Sequence, residues 1–260
     1  MIGLALEAGG VKGFSHIATL KLFELCGKKP DIISGSSFGS IVGTLYALYQ
    51  DSEKVYGVLA ENITNFLKRK KFSNFKFFNF ELILVESLVD LDDYYDFFKS
   101  LYGRAKFSDL KIPVDVVAFD MENLESIVIN EGFLVDAVLA SCTVPGVFEP
   151  TYIAGTKMLD GGVLSPVPVI ELRNKGVERV VASIFEEPKN SYNTHMELML
   201  YIDSIKGDII LQREIETADF VISYPISVQW TELEKYREVY NNALKIIYNR
   251  RDEFENFIGR

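Results

Sequence analysis

The run from Ile32 to Gln50 carries no charged residue, and it constrains the chain more than any other stretch. Its length approaches the ~20 apolar residues that span a bilayer. However, Gly35, Ser36, Ser37, Gly39, Ser40 and Gly43 interrupt it. That pattern suits a buried strand, a tight turn and a buried helix better than a membrane span. The same rhythm continues elsewhere. Ile2–Glu7, Asp31–Gly35, Glu178–Phe185 and Phe220–Ile226 read as strands, and Val114–Asp120 and Ser126–Asn130 as a strand pair joined across Met121–Leu124. Helical spacing links Phe14, Ile17, Leu20, Leu22 and Leu25, and it recurs over Phe38–Tyr49, Met196–Glu216 and Glu232–Tyr248. Strands alternating with helices predict an α/β protein whose parallel or mostly parallel sheet is covered by helices.

The chain has 260 residues, of which 48% are hydrophobic and 25% charged, so global disorder is excluded. With no internal repeat and no Pro/Gly/Ser-rich linker, a single domain over 1–260 is expected. The formal charge of −10 argues against nucleic acid as a partner, since phosphate binding needs a basic surface. Two cysteines, Cys26 and Cys142, cannot build a disulfide scaffold and fit a reducing compartment. The N-terminus has no basic segment ahead of a long apolar run, so a cytoplasmic location is expected.

One segment, 66–110, breaks the rhythm and reads as an insertion or cap beside the sheet. Phe66, Phe72, Phe75, Phe77, Phe78 and Phe80 are interleaved with Lys68, Arg69, Lys70, Lys71 and Lys76. Asp90, Asp92, Asp93 and Asp96 follow, mixed with Tyr94, Tyr95, Phe97 and Phe98. Two readings stay open for 66–80. Its aromatics insert into an anionic lipid surface while its lysines meet head groups, giving a peripheral membrane contact. Alternatively the aromatics pack against the sheet and the lysines are solvated.

Ala8-Gly9-Gly10-Val11-Lys12-Gly13 follows the first strand and opens a helix. Glycines there let the backbone bend and present N–H groups to an anion, aided by the helix N-terminus. A P-loop is excluded, because the Lys-Ser/Thr ending is missing. A dinucleotide fingerprint would need glycine at Ala8 and an acidic residue ending the second strand, where Gly-Ser-Ser-Phe-Gly stands instead. A cradle for a developing oxyanion remains, and it needs a nucleophile nearby.

Gly35-Ser36-Ser37-Phe38-Gly39 supplies one. It matches G-x-S-x-G between a strand and a helix, where a tight turn exposes Ser37 Oγ. Parallel strands joined by a crossover helix set their C-terminal ends side by side, so both turns face one crevice. Ser37 needs a base. His16 sits on the first helix in a structural position, while His195 completes the chain order Ser37, Asp160, His195 of α/β-hydrolases. That fold, however, places its elbow after several strands, whereas Ser37 follows the second. Asp160-Gly161-Gly162 offers either a plain Asp-Gly turn or a carboxylate base whose proton affinity is raised by desolvation.

These pieces resemble the patatin-like phospholipase family. Glu7 to Ile17 is similar to its opening glycine-rich motif, Gly35–Gly39 to its elbow, and Asp160-Gly161-Gly162 to its Asp-Gly-Ala/Gly motif. Ala140 to Pro150 is similar to the segment that precedes the catalytic Asp. The resemblance implies a three-layer α/β/α fold with a mostly parallel sheet, and a Ser-Asp dyad that hydrolyses lipid acyl esters without metal or cofactor. On it, Ser37 is the nucleophile and Asp160 the base. The N–H groups around Gly9, Gly10, Val11 and Lys12 form the oxyanion hole, and Gly13, Gly35, Gly39, Gly161 and Gly162 support the turns. Two positions depart from the pattern: Ala8 replaces a glycine, and Lys12 stands where arginine is frequent, losing bidentate anchoring. A lipid ester is the expected substrate and calcium is not expected to be required. Acyl transfer through the same acyl-enzyme, a Ser-Asp-His esterase, and a lipid-binding protein without turnover are the alternatives.

Overall fold

The computed structural model describes residues 1–68, 91–186 and 195–259. In chain order the elements are β1 (Ile2–Leu6), α1 (Phe14–Leu25), β2 (Ile32–Ser36), α2 (Phe38–Tyr49), α3 (Ser52–Lys68), α4 (Leu91–Tyr102), β3 (Val114–Asp120), β4 (Glu125–Ile129), α5 (Leu134–Ser141), β5 (Thr151–Ile153), β6 (Thr156–Asp160), α6 (Val169–Asn174), β7 (Arg179–Glu186), α7 (His195–Ile215), β8 (Phe220–Pro225) and α8 (Tyr236–Ile258). One eight-stranded sheet runs β5-β6-β3-β2-β1-β7-β8, with β4 also paired to β3. The β1–β2, β1–β7, β2–β3 and β7–β8 pairs are parallel. The β3–β4, β3–β6 and β5–β6 pairs are antiparallel.

Alternation along the central strands divides the core into two layers. Leu4 and Leu6 of β1, Ile33 of β2 and Val181 and Phe185 of β7 join the larger apolar cluster, with side chains of α1, α2, α3, α4, α5 and α8. Ala5, Ile32, Val180, Ala182 and Ile184 point the other way, onto Val169 and Leu172 of α6 and Leu211 of α7. β1 and β2 are buried along their whole length because helices cover both faces, which is why neither carries a charged residue.

The hairpin β5–β6 is absent from the sequence expectation, and so are α3, α5 and α6. Within the irregular stretch, Phe66 lies in the last turn of α3 and Phe97 and Phe98 lie on α4; all three are buried in the larger cluster. Phe72, Phe75, Phe77, Phe78 and Phe80, the neighbouring basic residues from Arg69 onward, and Asp90 lie outside the described residues. Among those described, no helix is long and apolar enough to cross a membrane.

Candidate active site

The C-terminal ends of β1 and β2 lie side by side, so the turns that follow them share one edge of the sheet. Ser37 caps α2 with φ 50° and ψ −125°. This backbone is strained for a residue with a side chain, at about 1–3 kcal/mol, and persists only where neighbours over-determine it. Here the Ser37 N–H donates to Ser141 Oγ (2.9 Å), and that hydroxyl donates to the Val117 carbonyl (2.6 Å). Gly39 completes the turn, since a Cβ there would lie 2.4 Å from the Leu6 carbonyl oxygen.

Asp160 reaches this elbow through strand register. β4 pairs with β3 over residues 116–120, so β2 and β6, which overlap that range, share the opposite edge of β3. On that edge Ser36 stands opposite Val117 and Asp160 opposite Ala118. The last residues of β2 and β6 therefore converge, and Ser37 and Asp160 meet. Asp160 is the final residue of a strand rather than a loop residue. Its Oδ1 accepts the Gly162 N–H (2.8 Å), while the buried Oδ2 has no hydrogen-bond partner. Burial raises its pKa from 3.8 to about 6, and the adjacent Ser37 hydroxyl and the Gly162 N–H pull it back down. The Ser37–Asp160 contact is thus close without being a well-formed hydrogen bond.

The glycine loop is held by a segment at the far end of the chain. Gly10 has φ +55°, and a Cβ there would fall 2.3 Å from the Trp230 carbonyl oxygen. That oxygen accepts the Val11 N–H (3.0 Å), and the Lys12 N–H donates to the Gly9 carbonyl (3.2 Å). Of the four expected donors, Val11 and Lys12 are therefore engaged, while the N–H groups of Gly9 and Gly10 make no bond among the described residues. Gly13 closes the 3-10 turn behind them, Gly35 lies within β2, and Gly161 and Gly162 open the turn after Asp160.

His16 is buried and fully committed. Its Nε2 lies 2.9 Å from the Glu7 carbonyl, which can only accept, so Nε2 carries the proton. Nδ1 then accepts from Ser183 Oγ (2.8 Å), which accepts from Thr19 Oγ1, which accepts from the Tyr224 hydroxyl. Burial pushes the His16 pKa down to about 4, partly offset by the Glu7 contact. His195 is the first residue of α7.

Ser37 and Gly10 also line a cavity of about 110 Å³ whose other walls are nearly all apolar. Phe66, Tyr94, Phe97 and Phe98 come from α3 and α4, Cys142, Val147 and Phe148 from the segment after α5, and Trp230 and Leu233 from the chain after β8. Tyr94 stacks on Phe148 with centroids 3.9 Å apart and donates to the Cys142 carbonyl (2.9 Å). The Cys142 thiol stands beside Ser37 and Ser40, and burial pushes its pKa well up, so it remains a neutral thiol. Nothing in the sequence marks Tyr94, Phe148 or Trp230 as walls of this cavity. No group of three His, Cys, Asp or Glu side chains that could hold a metal occurs among the described residues.

The model of the family described as patatin-like phospholipase matches residues 4–173. The chain belongs to that family. Among patatin-like relatives, the lysophospholipase NTE1 of Debaryomyces hansenii is 28% identical over 184 residues, which are 70% of this chain and 11% of that protein. An uncharacterized NTE family protein of Mycobacterium bovis is 26% identical over 181 residues, covering 70% of this chain and 48% of that one. The chain thus spans about a tenth of the fungal relatives and about half of the mycobacterial one. VipD from Legionella pneumophila shares the fold, with a TM-score of 0.58 at 14% identity, over 97% of this chain and 66% of VipD. The patatin-like match stops before α7, β8 and Trp230, so part of the cavity wall is built from chain beyond it.

Proposed function

We propose that the protein is a serine-dependent lipid acyl hydrolase in which Ser37 is the nucleophile and Asp160 the base. The observation that carries this reading is the buried Asp160 carboxylate beside the Ser37 hydroxyl, with Ser37 on the wall of an apolar cavity. Asp160 takes the Ser37 proton as Oγ attacks the ester carbonyl. The oxyanion forms against the Gly9 and Gly10 N–H groups; one such donor is worth about 2.7–4 kcal/mol in the transition state. The alcohol leaves with a proton from Asp160, and the acyl chain stays on Oγ in the apolar cavity. Asp160 then activates a water that releases the fatty acid.

The apolar wall beside Ser37, together with the name of the fungal relatives, favours lipid esters such as lysophospholipids. Fluorophosphonate labelling tests the nucleophile. Wild type should label at Ser37, and Ser37→Ala should neither label nor hydrolyse esters in a lysophospholipid, phospholipid and glyceride panel. Asp160→Asn should be inactive and His195→Ala active. Loss of activity in His195→Ala would refute the dyad and install a Ser-Asp-His triad.

A further inference from the structure

Three separated segments build the site, and each is tied to the same dipeptide. The Ser36 hydroxyl, one residue before Ser37, donates to the Ser165 carbonyl (2.5 Å). The Ala8 N–H, one residue before Gly9, donates to the Pro166 carbonyl (2.8 Å). The Ser165 N–H donates to the carbonyl of Gly161, the residue after Asp160 (3.0 Å). Elbow, glycine loop and Asp-Gly turn therefore have a common tether, and any shift of Ser165–Pro166 displaces all three together.

One buried carboxylate bonds to that segment. Glu214, in the last turns of α7, accepts the Ser165 hydroxyl at Oε1 (3.0 Å) and the Ile170 N–H at Oε2 (2.8 Å), bracketing the segment from both ends. It is 3% exposed. Burial pushes its pKa up to about 7, the Ile170 and Ser165 donors pull it back, and Glu171 adds a like charge. Had α7 only to pack against the sheet, as Leu211 does one turn earlier, an apolar side chain would serve at lower cost.

We propose that Glu214 is a positioning residue that, through Ser165–Pro166, sets the relative placement of the Ser37 elbow, the Gly9–Gly10 amides and Asp160. The inference rests on the hydrolase reading for its kinetic consequence but not for its structural one. It assigns a role in the site to α7, which lies beyond residues 4–173.

The test compares two variants. Glu214→Gln can still accept from Ile170 and can donate to Ser165 Oγ, whereas Glu214→Leu fills the space and makes neither bond. In Glu214→Leu, kcat for ester hydrolysis should fall about tenfold to a hundredfold, the scale for misplaced reacting groups, while KM stays within about twofold. Glu214→Gln should remain within about threefold of wild type, since both bonds persist. Amide hydrogen exchange, which needs no turnover, is read on the same proteins. Exchange should rise together at residues 8–13, 36–40 and 161–166 in Glu214→Leu, remain at wild-type levels in Glu214→Gln, and be unchanged in α8. Should wild type prove inactive on every ester, the hydrolase reading falls and exchange alone decides this one. A folded Glu214→Leu with normal exchange at the three segments overturns the proposal, and so does an increase spread evenly over the chain. If Glu214→Leu does not fold, Ser165→Ala replaces it: exchange should rise by a smaller amount at the same three segments, and no rise there overturns the proposal.

Discussion

Replacing Asp160 by Asn should stabilise the fold while it removes activity. Burial lifts the Asp160 pKa from 3.8 to about 6, and Oδ2 has no partner to compensate its charge. A carboxyl whose pKa is higher in the folded state binds its proton more tightly there. The folded protein therefore loses stability as pH rises from about 4 to about 6, and the whole penalty is in force above that. A displacement of about two pH units, at about 1.4 kcal/mol each, makes the penalty roughly 3 kcal/mol at pH 8. Asparagine keeps an acceptor for the Gly162 N–H and carries no charge. With an unfolding entropy near 2.1 cal/mol/K per residue, that saving corresponds to a rise of about 5 °C in melting temperature for a chain of this size. Paired melts of wild type and Asp160→Asn should show this gap at pH 8 and about a third of it at pH 4.5, where the folded carboxyl is already protonated. Taking the difference cancels every other titrating group, His16 included. Equal melting temperatures at pH 8, or a less stable variant, would refute the claim that an uncompensated buried charge sits beside Ser37.

On the proposed dyad, kcat/KM for ester hydrolysis should climb through about pH 6 and level off above it, as an ionised Asp160 is needed to accept the Ser37 proton. A profile flat from pH 5 to 7 would exclude it as the base. Gly10→Ala should force a side chain onto the Trp230 carbonyl and displace the loop. Fluorophosphonate labelling of Ser37 should then slow by about 10²–10³-fold, the loss seen when one oxyanion donor is removed; an unchanged rate would show that the loop takes no part. His16, with its pKa lowered to about 4, must stay neutral to be buried, so it contributes stability above about pH 6.5 that is lost as pH falls towards 4. A His16→Gln variant should show a flatter acid limb in chemical denaturation, and an acid limb as steep as wild type would assign the effect to another group.

The parallel half of the sheet was legible because burial on both faces excludes charge and favours apolar runs such as Ile2–Leu6. The elbow and glycine loop were legible because their chemistry is local: the strained backbone at Ser37 and the left-handed turn at Gly10 require small neighbours at fixed offsets. The hairpin that delivers Asp160 was not. β5 has three residues and β6 five, and Tyr152 and Lys157 are exposed, so neither strand carries a readable period. Long-range main-chain contacts leave no trace in composition. Nothing at Trp230 announces that its carbonyl takes the Val11 N–H, and so nothing in the sequence divides the four loop amides into two engaged and two available. In the aromatic segment, Phe66, Phe97 and Phe98 are core residues whose helical spacing is obscured by the charges around them.

The Ser37 backbone is held by the hydroxyl of a residue 104 positions later, Ser141, and its partner carboxylate arrives later still. A ribosome that has released the first two strands has made the serine but not the geometry that sharpens it. On the proposed dyad, the site is incomplete until the β5–β6 hairpin pairs with β3 and the Trp230 carbonyl reaches the glycine loop. A fragment ending before that hairpin carries Ser37 and lacks the carboxylate it faces.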